Sequence, residues 1–244
     1  EKLAGLGEVT PQRAVPGEWQ PVAADPVAGF VPGTGGSDWE AMPALKDLMP
    51  WAQPGCMWNR MWPVAPDPET LRARWDALVS ESDPDRRAEL FVTARTGRNL
   101  TTEVSGMARL GDLQVGAEPE RLGRYGWRSF DRQWAFDDPR LAKTDSPALW
   151  QSVSLQQLFL VVPASDAPGP GPVATVSPAV PDKHYFMGRG GKDVIPLYRD
   201  AAATEPNVTD GLLGALTGRL GIAVEPADFA AYLYALLSTA RFQE

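Results

Sequence analysis

Side chains that perform acid-base and nucleophilic chemistry are scarce in this sequence, which sets one histidine and one cysteine beside nine tryptophans. His184 has no serine, cysteine or metal-ligand partner at a usable spacing and reads as a structural histidine. Cys56, in Gln53-Pro54-Gly55-Cys56-Met57-Trp58, has no histidine nearby and reads as a buried structural thiol, not a nucleophile. A single cysteine forms no internal disulfide, and no Cys/His cluster has metal-ligand spacing. A different chemistry remains. The stretch from Gly123 to Trp150 interleaves Tyr125, Trp127, Phe130, Trp134 and Phe136 with Arg124, Arg128, Arg132, Arg140 and Lys143. Cations among flat rings suit a polyanion with flat faces, which describes nucleic acid. A strand with one buried aromatic face and one solvated Arg/Asp face carries the same pattern, so both readings stand.

Two smaller groups join this centre as candidates. Gly188-Arg189-Gly190-Gly191-Lys192 either lays backbone amides and two cations along a phosphate or forms a flexible basic turn. It is no Walker A loop, because the spacing is wrong and Asp193 stands where Ser or Thr belongs. Asn59 and Arg60 are candidates for phosphate or base contact, or else a turn residue and a solvated arginine. Gly33-Thr34-Gly35-Gly36 is glycine-rich like a nucleotide site but follows no buried strand and opens no helix.

The formal net charge of −8 opposes phosphate binding. Its distribution softens that objection, since basic residues exceed acidic ones from Arg121 to Trp150 while the acidic excess lies from Asp193 onward. No apolar run is long enough for a membrane span and the first residues form no signal peptide, so a cytoplasmic protein is expected. With no methionine at position 1, the chain is expected to be a fragment or a processed product.

The elements that must position these residues are legible in part. Residues 1–40 are rich in Pro and Gly and read as an extended segment. A short helix is expected over Ala44–Met49, then a Pro-punctuated crossing packed by Trp51, Trp58 and Trp62. Asp67-Pro68 and Asp83-Pro84 each place a capping carboxylate before a helix-starting proline, predicting helices to about Ser80 and Thr96. A polar loop to about Glu120 leads to one strand over Gly126–Phe136, ended by Asp137-Asp138-Pro139. Leu155–Val162 reads as a buried strand, Ala164–Pro172 as a hairpin tip or linker, and Val173–Val176 as a short partner strand. Two helices close the chain, the first capped within Asn207–Asp210 and the second starting at Glu225-Pro226. The fold class is α+β: a mixed sheet with flanking helices, long Pro/Gly-rich ordered loops and a C-terminal helical pair.

Four ordered blocks resemble type ISP restriction-modification enzymes. Trp51, Gln53, Pro54, Gly55 and Cys56, followed by Asn59, Arg60, Trp62, Pro63 and Asp67-Pro68, resemble short actinobacterial members. Tyr125, Arg128, Phe130, Asp131, Arg132, Asp137, Arg140 and Leu141 are similar to a pattern near the start of the family's target-recognition region. Val194-Ile195-Pro196-Leu197-Tyr198 resembles its closing segment, and Ala231–Ser238 a signature on its last helix. The resemblance implies a single target-recognition-like domain over 41–244, with a helical pair at 67–96, a sheet region at 123–198 and C-terminal helices at 207–240.

In that family a nuclease, an ATP-driven translocase and an N6-adenine DNA methyltransferase precede a region that reads the DNA target. This chain has no Asn-Pro-Pro-Tyr or Asp-Pro-Pro-Tyr motif, no Walker A loop and no carboxylate-lysine nuclease cluster. The resemblance therefore implies a recognition module for double-stranded DNA, without catalytic residue, metal or cofactor of its own, serving methyltransferase and translocase modules in cis or in trans. The expected DNA contacts are Arg124, Arg128, Arg132, Arg189, Lys192, Asn59 and Arg60. Two alternatives stay open: an inert interaction protein that docks a defence complex without touching DNA, and a free-standing enzyme using carboxylates alone.

Overall fold

Aspartate-proline pairs start the helices where the sequence places them. In the computed structural model, which describes residues 42–92, 97–164, 172–186 and 191–238, the Asp67 carboxylate accepts the Thr70 N–H at 2.7 Å and the Thr70 hydroxyl at 3.0 Å. Asp83 does the same for the N–H groups of Asp85 and Arg86, both at 3.0 Å. Each cap satisfies donors that the first helical turn leaves open.

In chain order the body beginning at Leu45 holds α1 (Leu45–Leu48), β1 (Gln53–Pro54), β2 (Val64–Ala65), α2 (Pro68–Ser80), α3 (Pro84–Phe91), β3 (Leu122–Arg128), β4 (Asp131–Phe136), α4 (Pro147–Gln151), β5 (Phe159–Pro163), β6 (Thr175–Ser177), β7 (Val180–Pro181), β8 (Lys192–Pro196), α5 (Leu212–Leu220) and α6 (Pro226–Leu237). The fold is α+β, with its strands in two four-stranded sheets. One has the order β2-β4-β3-β7 and is mixed, because β7 runs parallel to β3; the other, β1-β8-β5-β6, is antiparallel throughout. Among the described residues no helix is long and apolar enough to cross a membrane, and no group of three or more His, Cys, Asp or Glu side chains could hold a metal.

Two apolar clusters pack the sheets, and the larger takes in Phe159, Val161 and Val194 of the antiparallel sheet as well. Under the mixed sheet sit Trp58, Trp62, Trp75, Tyr125, Phe136 and Trp150, with α2 turning Leu71, Trp75, Leu78 and Val79 inward. Trp62 stacks on Phe136 at 5.5 Å between ring centres, a separation at which offset rings attract. The tryptophan crossing thus packs as its composition predicts. Under the second sheet, Leu160 and Ile195 meet Val208 and the α6 residues Phe229 and Leu233. The Asn207 amide accepts the Trp51 N–H at 3.0 Å and donates to the Trp51 and Pro196 carbonyls at 2.7 and 2.9 Å.

A buried ion pair supports the mixed sheet from behind. Arg140 and Asp138 meet in a bidentate fork, Nη2 to Oδ2 at 2.7 Å and Nε to Oδ1 at 3.0 Å, with side chains 5% and 0% exposed. Arg140 Nη1 also donates to the Ala108 carbonyl at 3.0 Å.

Several expectations are corrected. The single strand over Gly126–Phe136 is a hairpin, β3 and β4, whose register runs from Leu122↔Phe136 to Arg128↔Asp131 with an irregularity between Gly126 and Arg128. Its loop, Ser129-Phe130, lacks the Gly, Asn or Asp usual in a two-residue hairpin turn, and Phe130 takes φ 68°, a left-handed backbone that costs a bulky L-residue about 1–2 kcal/mol. Helix α3 stops at Phe91, short of Thr96, because Val92 turns left-handed at φ 51° and closes on the Glu89 carbonyl. The strand expected from Leu155 begins at Phe159, leaving Leu155 in a solvated turn. Asn207 is no helix cap but a buried connector, and α5 opens after Gly211 at φ 78° without a side-chain cap. The short helix α4 has no counterpart among the expected elements. The readings of residues 1–40, the glycine run at Gly33–Gly36, the loop tip 165–171 and Arg189 lie outside the described residues.

Candidate nucleic-acid interface

The hairpin β3–β4 sorts its side chains by strand alternation. Tyr125 and the backbone of Gly123 face the core, where a Cβ on Gly123 would stand 2.5 Å from the Trp150 ring. Arg124 lies opposite Trp134 and Gly126 opposite Arg132, so these residues share the other face. Arg124 and Arg132 are exposed there, and the Arg124 guanidinium lies 4.8 Å over the Trp134 ring. At Gly126 this face is covered, because a Cβ would meet the Tyr185 ring at 2.8 Å.

Arg128 stands where the hairpin emerges from the body. Its Nη1 donates to Asp182 Oδ1 at 2.8 Å and to the Trp127 carbonyl, and its guanidinium lies 4.4 Å over the Trp127 ring. The arginine side chain is 43% exposed and its aspartate 3%. Asp182 also accepts the Tyr125 hydroxyl at 2.5 Å and the His184 N–H at 2.7 Å. One buried carboxylate therefore sets the direction of a half-exposed guanidinium. Asp131 is the cross-strand neighbour of Arg128, but the ion-pair partner is Asp182.

The other expected contacts divide. Lys192 is 1% exposed in β8, its ammonium 5.7 Å over the Phe186 ring. Arg60 is 7% exposed; its Nη2 donates to the Arg98 carbonyl and its guanidinium lies 4.2 Å over Phe91. The Arg60 Nε and Nη1 meet no hydrogen-bond acceptor among the described residues, and burial lowers the arginine pKa. Neither cation faces solvent, which corrects the reading of Arg60 as a solvated side chain. Asn59 is exposed with φ 61°, a turn conformation that asparagine tolerates. The structure thus places Arg124, Arg128 and Arg132 on one hairpin, and Asn59, Arg60 and Lys192 on other elements. The motif residues split likewise: Tyr125, Arg140 and Leu141 are buried scaffold, while Arg128, Phe130 and Arg132 reach the surface. Asp182 and Tyr185, which orient the hairpin, sit in a segment whose sequence marks neither of them.

Two buried acids make this body sensitive to alkali. Burial pushes the Cys56 thiol up from its ordinary 9.0, and its Sγ–H donates to the Asp145 carbonyl at 3.1 Å. Burial, then the adjacent Asp182 carboxylate, holds the Tyr125 phenol well above its ordinary 10.0. The folded chain keeps both protons while the unfolded chain releases them. Stability is therefore fully present below pH 9.0 and is lost as pH rises past the two unfolded values, at about 1.4 kcal/mol per pH unit for each group. Thermal melts between pH 7 and 11 should show a flat Tm and then a steepening fall. Cys56→Ala should remove the earlier part of that fall.

The family described as the Type ISP C-terminal specificity domain matches residues 47–244. No curated protein sequence matches the chain. Among solved structures, the ATP-dependent Type ISP restriction-modification enzyme LlaBIII bound to DNA is similar with a TM-score of 0.52 and 13% identity, over 80% of this chain and 13% of that one. A DrdV–DNA complex is similar at TM-score 0.49 and 16% identity, over 80% of this chain and 21% of that one. A nuclease-deletion mutant of the Type ISP enzyme LlaGI with a DNA substrate mimic follows at 0.43 and 10%, over 71% and 16%. The chain spans about a fifth or less of the length of each of these proteins.

Proposed function

This chain belongs to the Type ISP C-terminal specificity domain family, and on that premise we propose that it reads duplex DNA for methyltransferase and translocase modules carried on other sequence, in cis or in trans. The observation that carries the reading is the solvent face of the β3–β4 hairpin, where Arg124 and Arg132 are exposed and Arg128 is held in place by Asp182. LlaBIII, which shares the fold, is a DNA-bound enzyme. Arg124 and Arg132 suit phosphate contact. Arg128 has hydrogen-bond partners among the described residues only through Nη1, so its remaining edge is pre-oriented for a guanine O6/N7 pair, worth about 1–3 kcal/mol of base discrimination. Such a protein works in the cytoplasm, where the DNA is.

A second reading, an interaction protein that never touches DNA, draws on the net charge of −8 and on the exposed Leu220, Ile222, Tyr232 and Leu236 of the C-terminal helical region. Binding to a pool of random duplex DNA at two salt concentrations separates the two. The parent should bind and weaken with salt. Arg124→Ala and Arg132→Ala should each lower affinity across sequences and reduce the salt slope by about 1, and Arg128→Ala should relax the recovered sequence. Lys192→Ala, at a buried position, should leave the salt slope unchanged. Absence of binding at low salt would rule out autonomous DNA reading and leave the interaction protein.

A further inference from the structure

Five non-glycine residues among those described have positive φ: Asn59, Val92, Phe130, Ser146 and Ala203. Each has a local reason. Asn59 is a residue type that tolerates this backbone. Val92 closes a helix, and Ser146 opens one while its hydroxyl donates to the Pro54 carbonyl at 2.6 Å. Ala203 sends its N–H back to the Asp200 carbonyl at 3.3 Å. Phe130 sits second in the two-residue turn that closes the hairpin, a place where positive φ is ordinary but Gly or Asn is the usual occupant; here it is a phenylalanine whose ring is fully solvated at 102% relative exposure. A large apolar ring raised on a strained backbone into water gains nothing for the fold, and strain of this kind gathers at functional sites.

The backbone beneath that ring is firmly held. Ser129 N–H donates to the Tyr185 carbonyl at 2.9 Å, the Tyr185 ring lies against Gly126, and Arg128 is tied to Asp182. Arg128 and Arg132 flank the tip. Asp131, next in sequence after Phe130, accepts a hydrogen bond from Gln133 Nε2.

We propose that Phe130 is a wedge that enters the base stack of duplex DNA from a groove and parts one base step, while Arg128 and Arg132 hold the strands beside it. Apolar side chains used in this way unstack and kink the duplex toward a conformation that meets more protein surface. This assignment rests on the DNA reading proposed above and gives that reading a physical action on its ligand.

The test uses the full chain and duplexes recovered from the binding pool, with 2-aminopurine placed at each position in turn. The parent should raise the fluorescence at one step only. Phe130→Ala and Phe130→Gly should retain salt-dependent binding and lose that rise, while Phe130→Trp should keep it. The Tm of Phe130→Gly should equal or exceed that of the parent, because glycine relieves the positive φ. An unchanged fluorescence rise in Phe130→Ala would overturn the wedge and leave DNA reading intact. A lowered Tm in both Phe130→Ala and Phe130→Gly would also overturn it, by making Phe130 a structural residue. A parent that binds no duplex would overturn both proposals, through the arginines before the phenylalanine.

Discussion

Arg140→Ala should lower folding stability by about 3–5 kcal/mol, because removing one member of a buried pair leaves the other charge uncompensated. Asp138 is completely buried and its carboxylate loses the fork from Nε and Nη2. The Ala108 carbonyl loses its donor in the same step. Against a total of about 5–15 kcal/mol for a domain, a loss of that size brings the chain near unfolding at ordinary temperature. Urea titration measures it directly. The pair itself contributes little net stability beyond apolar residues of similar volume, so Arg140→Met with Asp138→Leu should unfold at higher urea than Arg140→Ala alone. A cost below about 1 kcal/mol for the single variant would mean that the carboxylate finds water.

Trp75→Ala should cost about 3–5 kcal/mol, the range for emptying a large aromatic site in a packed core. Trp75 is fully buried on α2, packs on Phe136 at 5.5 Å and donates its indole N–H to the Ala117 carbonyl at 2.6 Å. That hydrogen bond fastens the loop before β3 to the helix beneath it, so Trp75→Phe should recover most of the packing and leave that loop more open to protease. Arg140 lies 5.8 Å over the Trp75 ring. Replacements at the two positions should therefore be non-additive in the same urea titrations.

The helix starts were legible because Asp67-Pro68 and Asp83-Pro84 carry their capping chemistry within a few residues. The hairpin was not, because Ser129-Phe130 lacks the glycine, asparagine or aspartate that marks a two-residue hairpin turn, and its tip is held by Tyr185, 56 positions away in sequence. The resemblance located the arginine-aromatic centre but did not separate scaffold from surface. That division depends on which partner each side chain takes, and for Arg60 and Arg128 the partner lies far along the chain. Arg60 lies over Phe91, Arg128 answers to Asp182, and Arg140 pairs with Asp138 although Asp137 matches the family pattern. Asp137 instead accepts from Arg121 at 2.8 Å. The glycines before Lys192 suggest a loop cation, yet it begins an inner strand between β1 and β5.

The pairing of β1 with β8, Gln53 with Val194, and the clasp of Trp51 by Asn207 set an order on how the molecule comes into being. Synthesis runs from the N-terminus, so the tryptophan crossing leaves the ribosome well before the strand and the asparagine that will secure it. Helices α2 and α3 and the hairpin close on neighbours and can form early. The antiparallel sheet waits for nearly the whole chain, and contacts between residues so distant in sequence slow the search for the native state. During that interval Trp51 lacks the asparagine that clasps it, while Trp58 and Trp62 already have the aromatic rings of α3 and the hairpin to pack on. Slow final assembly follows from where β1 and β8 meet.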